Sequence, residues 1–177
     1  MTICATRGCA QEVAAPGGRP LLHCAPCLLG TRKIAASLAR ANAVDRLPPV
    51  VVPAGGWGFR MPGSPRSYNN ALGRGHHVKT YLKKWAKDWK CELGLRALAT
   101  RPADWNLAGR YAVEIRSWFS SNASDVDGPV KLTLDALKGI AWFDDRQVLS
   151  HAAYKLVDRE LARIEVVIRN VTTGTAP

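Results

Sequence analysis

No apolar run in this sequence is long enough to cross a bilayer, which takes about 20 residues. The opening residues, Met1-Thr-Ile-Cys-Ala-Thr-Arg7, have neither the charged start nor the apolar core of a signal peptide. Membrane and secretion therefore give way to a cytoplasmic expectation. Acidic residues are scarce: 14 stand against 25 Lys plus Arg, leaving a net charge of +11 and a pI near 9.9. A surplus of that sign draws a chain toward polyanions, and with membranes set aside the expected partner is nucleic acid. Internal repeats and low-complexity tracts are absent. Hydrophobic residues make up 47% of the chain, enough for a real core, so wholesale disorder is not expected.

What is there begins with where the charge sits. Between Trp57 and Pro102 lie ten basic residues, among them Arg66, Arg74, Lys79, Lys83, Lys84, Lys87 and Lys90. The same stretch holds two acids, Asp88 and Glu92. A merely soluble surface intersperses its signs, and this one does not. Val78 to Ala99 has helical length, and its apolar residues, Tyr81, Leu82, Trp85, Trp89, Leu93 and Leu95 to Leu98, recur at three and four. The lysines fall mainly on the remaining face. That face reads either as the solvated side of an amphipathic helix or as a DNA-facing surface, and the clustering favours DNA.

Around this segment the chain divides into a cysteine-bearing module at 1–30, a short helix and linker at 31–56, a main domain at 57–171 and a tail at 172–177. The linker, Leu47 to Gly56, carries three prolines and two glycines. In the main domain, Trp57 to Met61, Tyr111 to Phe119, Gln147 to Val157 and Arg163 to Arg169 read as strands. Tyr111, Val113, Ile115 and Phe119 alternate onto one side. Pro129 to Lys138 reads as a helix, with Pro129 suited to its first turn and Gly139 as its stop. The expected class is α/β (α+β), a small mixed sheet with two main helices.

Two short segments, Ser124 to Lys131 and Phe143 to Gln147, contain four of the fourteen acids: Asp125, Asp127, Asp144 and Asp145. Close-set carboxylates repel each other, and a divalent cation offsets that directly. Bound Mg2+ lowers the pKa of a water and neutralises charge that develops on a phosphodiester under attack. Lys131 lies one helical turn past Asp127 and would serve the same phosphate. The competing readings are ordinary ones: Asp-x-Asp as a helix cap and Asp-Asp as a turn. If the helix packs on the sheet, both acidic segments are expected to meet at one rim.

In order and spacing, Asp125-Val-Asp127-Gly-Pro-Val-Lys131, Asp135-Ala-Leu137 and Asp144-Asp145-Arg-Gln-Val148 resemble the signature of the RusA family of Holliday junction resolvases. Phe59-Arg-Met-Pro-Gly-Ser-Pro65 is similar to that family's opening loop. The likeness runs from about Trp57 to Arg169. It implies a homodimeric, Mg2+-dependent endonuclease (Mn2+ as a substitute) that resolves four-way DNA junctions by paired nicks. It further implies Asp125, Asp127 and Asp145 as metal-binding carboxylates, Lys131 as the essential lysine and Asp144 as a possible ligand. The family is typical of bacteria and their phages. Gly128 departs from the family's usual Asn. A nuclease preferring forks or flaps and a non-catalytic DNA-binding protein on a decayed nuclease fold remain the alternatives.

Outside that likeness, Cys4, Cys9, Cys24 and Cys27 form a C-x4-C…C-x2-C array around a Gly/Pro loop. It is suited to a tetrahedral Zn2+ site, with His23 as a substitute for Cys24. Metal would then supply the folding energy that so short a ribbon or knuckle cannot bury. Cys91 is expected as a buried thiol, and His151 and Tyr154 as structural residues. His76 and His77 are expected in an exposed loop, and Trp57 and Trp118 are candidates for base stacking.

Overall fold

The computed structural model describes residues 2–3, 12–13, 38–74 and 80–171, in two units: Met1–Asn42 and Ala43–Pro177. In the first, β1 (Thr2–Ile3) and β2 (Glu12–Val13) form a short antiparallel pair. The four clustered cysteines and His23 lie outside the described residues, as do His76, His77 and Lys79. A helix, α1, covers 38–45.

The second unit is built on a four-stranded sheet of β3 (Gly56–Pro62), β8 (Arg163–Asn170), β6 (Tyr111–Phe119) and β7 (Val148–Val157), in that spatial order. β8 runs antiparallel to both β3 and β6, whereas β7 runs parallel to β6. Helix α3 (Gly128–Leu137) makes the crossover between the parallel pair. Helix α2 (Lys84–Thr100) follows a small hairpin of β4 (Leu72–Arg74) and β5 (Thr80–Leu82). This is the mixed α+β sheet expected, and α1 falls within the stretch 31–56 where a short helix is expected.

The period-two pattern explains which face is buried. Trp57, Phe59 and Met61 of β3, Val113 and Ile115 of β6, and Ile164, Val166 and Ile168 of β8 join one core with Leu93 of α2 and Leu132 and Leu137 of α3. Each fully buried side chain of this size contributes about 1.5–3 kcal/mol. The Pro/Gly segment expected as a linker is held against β3. A Cβ added at Gly58 would come within 2.6 Å of Val52 and 3.2 Å of Val50 side-chain carbons. Close backbone approach is what glycine permits there.

Several expectations need correction. The helix expected from Val78 starts at Lys84, because Thr80–Leu82 pairs with β4. Tyr81 lies across Gly73, where a Cβ would sit 2.5 Å from its ring. Leu95 and Leu98 point outward, 62% and 50% exposed, since α2 buries Ala86, Trp89, Leu93, Gly94 and Ala97 instead. Gly94 on that face allows close approach: Ile140, just past α3, would meet a Cβ there at 3.0 Å. Cys91 is exposed. Trp57 is a core residue whose Nε1–H donates to Thr100 Oγ1 at 3.2 Å, and Trp118 is covered by the Arg163 guanidinium 4.0 Å from its ring centroid. Trp57 therefore has no ring free for a base, and one face of Trp118 is already taken. His151 and Tyr154 are exposed on β7 and have no structural role in the core.

Candidate active site

Strand β6 ends at Phe119, and the loop 120–127 carries Asp125 and Asp127 to the start of α3, both exposed. Asp127 occupies the N-cap position of α3, yet its carboxylate accepts no capping hydrogen bond. The ordinary helix-cap role is therefore not what this side chain does. Pro129 sits in the first turn, where its missing N–H costs nothing. Gly128 is explained by packing: a Cβ there would lie 2.8 Å from Ser67 Oγ and 2.9 Å from Ser67 Cβ. The Asn usual in the resembled family has no room unless Ser67 moves.

One turn along α3, Lys131 Nζ lies 3.3 Å from an Asp135 carboxylate oxygen and 5.3 Å from the centroid of the Tyr68 ring. The other Asp135 oxygen is 3.8 Å from Lys90 Nζ of α2. Asp135 therefore ties the carboxylate end of α3 to the basic helix. Lys84 and Lys87 are exposed near the start of α2, with Lys84 paired to Asp88 at 2.7 Å. Lys83 Nζ donates to the Asn70 carbonyl at 2.9 Å, and Arg66 lies over the Trp85 ring at 5.5 Å.

The second acidic segment is built differently. Asp144 caps the one-turn helix Asp145–Gln147 in a reciprocal capping box with Gln147. Its carboxylate accepts from the Arg146 backbone N–H and guanidinium, each at 3.0 Å, and from Lys138 Nζ at 3.2 Å. The Arg146 amide first, then the Arg146 and Lys138 side chains, hold its carboxyl well below the usual range. Asp145 accepts from the Trp142 indole N–H at 3.1 Å. Gln147 receives the Phe143 and Asp144 amides, both at 2.9 Å, and donates to the Leu107 and Gly109 carbonyls, both at 2.8 Å. Neither Trp142, the partner of Asp145, nor the capping-box role of Gln147 with Asp144 is among the sequence expectations, although the D-x-x-Q spacing of such a box is visible in the sequence.

Within one chain the two acidic segments do not meet at one rim. Tyr111 pairs with Val148 and Phe119 with Val157, so the turn at Asp145 lies at the opposite end of β6 from Asp125 and Asp127. A nine-residue strand spans about 26 Å, and ten residues of α3 about 15 Å. Among the described residues no three His, Cys, Asp or Glu side chains gather closely enough to hold a metal ion.

Asp158, after β7, has its carboxyl lowered chiefly by the Leu161 amide, with help from Arg163 and the Glu160 amide. For Asp144 and Asp158 the folded pKa lies below the unfolded one. Their contribution is thus present above the unfolded pKa and is lost as pH falls through the folded value. The melting temperature should drop as pH is lowered from about 5 to about 2. The drop should be smaller in Asp158→Asn, and scanning fluorimetry across that range reads it.

Exposed carboxylates next to a lysine and a basic helix are suited to phosphodiester chemistry. A family model, Endodeoxyribonuclease RusA, matches residues 62–169, more than half of the chain and all four acids of the two segments. No curated protein matches the chain. Its ordered acidic blocks, its mixed sheet and this match lead to one assignment: the chain belongs to the RusA family of Holliday junction resolvase-type endodeoxyribonucleases.

Proposed function

We propose that the protein is a divalent-metal-dependent nuclease that resolves four-way DNA junctions by paired nicks, acting as a homodimer. The observation that carries this reading is the α3 end: Asp127 with a carboxylate that makes no capping bond, Lys131 one turn on, and Asp135 linking Lys131 to Lys90 of the basic helix.

Among the described residues one chain alone does not supply a three-carboxylate cation site, and this reading assembles it from two copies. Strand β7 is a ten-residue edge strand with Leu149, Tyr154, Leu156 and Val157 at 38–51% exposure. Such an edge is a template for another strand. Antiparallel pairing of two β7 edges about a two-fold axis would extend each four-stranded sheet into its partner. Because β7 runs from the Asp145 end to the Asp125/Asp127 end, antiparallel copies bring Asp145 of one protomer toward Asp125 and Asp127 of the other. Two equivalent sites result, one for each nick.

A divalent cation held there would activate water and screen the phosphate. The chain's own groups do the rest. Lys131 presents an ammonium to the scissile phosphate. Trp142 holds one oxygen of Asp145 and fixes the direction of the other. The exposed lysines of α2, with Arg66 and Arg74, contact junction arms through phosphates, so binding weakens as salt rises. Cys4, Cys9, Cys24 and Cys27 would hold Zn2+ in an accessory module. The test is a panel of synthetic junctions, forks and flaps with Mg2+ or Mn2+, comparing the wild type with Asp127→Asn. Symmetric nicks in the junction should be lost in the variant by about 10^3-fold or more, with binding retained. Tight binding without cleavage in either metal would favour the non-catalytic reading, and faster cutting of forks or flaps would favour the other alternative.

A further inference from the structure

The one-turn helix at Tyr68–Asn70 touches α3 at two points that the mechanism does not use. Ser67 precedes it at the N-cap position, where a serine ordinarily accepts a backbone N–H, yet it makes no capping bond. Its hydroxymethyl group instead fills the space left by the missing Cβ of Gly128, beside Asp127. The next residue, Tyr68, presents its ring to Lys131 Nζ at 5.3 Å, and Lys131 has Asp135 as its second partner. A lysine side chain has four rotatable bonds, and an exposed ion pair alone holds it weakly. An aromatic face adds a restraint that salt and water screen differently.

We infer that Tyr68 is a positioning residue for the nuclease site: its ring holds the Lys131 ammonium in place, and the Ser67–Gly128 contact docks the Tyr68 turn on α3. This rests on the proposed role of Lys131. Tyr68→Leu should lower kcat on a four-way junction about 10-fold while junction affinity stays within about twofold. Tyr68→Phe, which keeps the ring, should stay within about twofold of wild type. In a Lys131→Met background, Tyr68→Leu should add nothing further.

A readout independent of cleavage comes from reductive 13C-methylation of the lysines in the full chain, with the Lys131 signal assigned by its loss in Lys131→Arg. That signal should show an upfield ring-current shift in wild type and Tyr68→Phe that disappears in Tyr68→Leu. A Lys131 signal without that shift in the wild type would overturn the inference. So would Tyr68→Leu cutting at the wild-type rate, or Tyr68→Phe cutting as slowly as Tyr68→Leu. A wild type that nicks no branched DNA would instead overturn the nuclease reading and, with it, the catalytic meaning of the contact.

Discussion

Asp127→Asn and Asp145→Asn proteins, each inactive alone, should regain junction nicking when mixed and allowed to exchange subunits. In a dimer paired through β7, each site draws Asp125 and Asp127 from one protomer and Asp145 from the other. A mixed dimer therefore collects both substitutions in one site and leaves its second site intact. With free exchange about half of the dimers are mixed, and nicking should recover to roughly a quarter of the wild-type rate. The recovered activity should cut one strand and leave the paired nick unmade, which a denaturing gel separates from full resolution. Were the three aspartates to act within one chain, each protomer would stay inactive and mixing would restore nothing. Sedimentation of a Tyr154→Glu, Leu156→Glu variant checks the same interface without DNA: like charges on an edge strand should prevent its pairing and leave a monomer.

The second large effect is on stability. Trp142 is fully buried, its ring 5.9 Å from that of Tyr111, and it anchors the turn before β7 through its bond to Asp145. Its truncation leaves a large cavity and an Asp145 with one partner fewer. Trp142→Ala should cost about 3–5 kcal/mol, a large share of the roughly 5–15 kcal/mol that holds such a domain folded. Urea unfolding followed by circular dichroism measures this. Trp142→Phe retains most of the packing and loses the indole donor, so it should stay folded while needing more Mg2+ for half-maximal nicking. A Trp142→Phe protein with an unchanged Mg2+ requirement would show that Asp145 needs no such support.

Local pattern accounts for much of what the structure shows. The alternation of Tyr111, Val113 and Ile115, the β-branched run Ile164 to Ile168 and the Pro129…Gly139 frame each describe an element whose buried side is decided within a few residues. Gly139 ends α3 with a φ of +81°, a conformation that glycine adopts without strain. Elsewhere the deciding contact lies far along the chain. Thr80–Leu82 is a strand because it can pair with Leu72–Arg74, and no periodicity within 78–99 carries that information. Leu95 and Leu98 are strong helix formers that look like core, but α3 and β3 approach the face of Ala86, Gly94 and Ala97.

For the site, residue order alone singled out the candidate groups: two acidic segments and a lysine at fixed spacing around one helix, in a chain of strong positive charge. It carried no information on whether those segments face one another. That depends on β6 and β7 being parallel neighbours, since a parallel crossover must travel the length of the sheet before the next strand begins. The acids before and after α3 consequently stand at opposite ends of β6, and in the proposed dimer a second copy paired at the exposed β7 edge would unite them. Strand direction is a non-local property, settled by which backbones exchange hydrogen bonds, and so only the tertiary structure decided it.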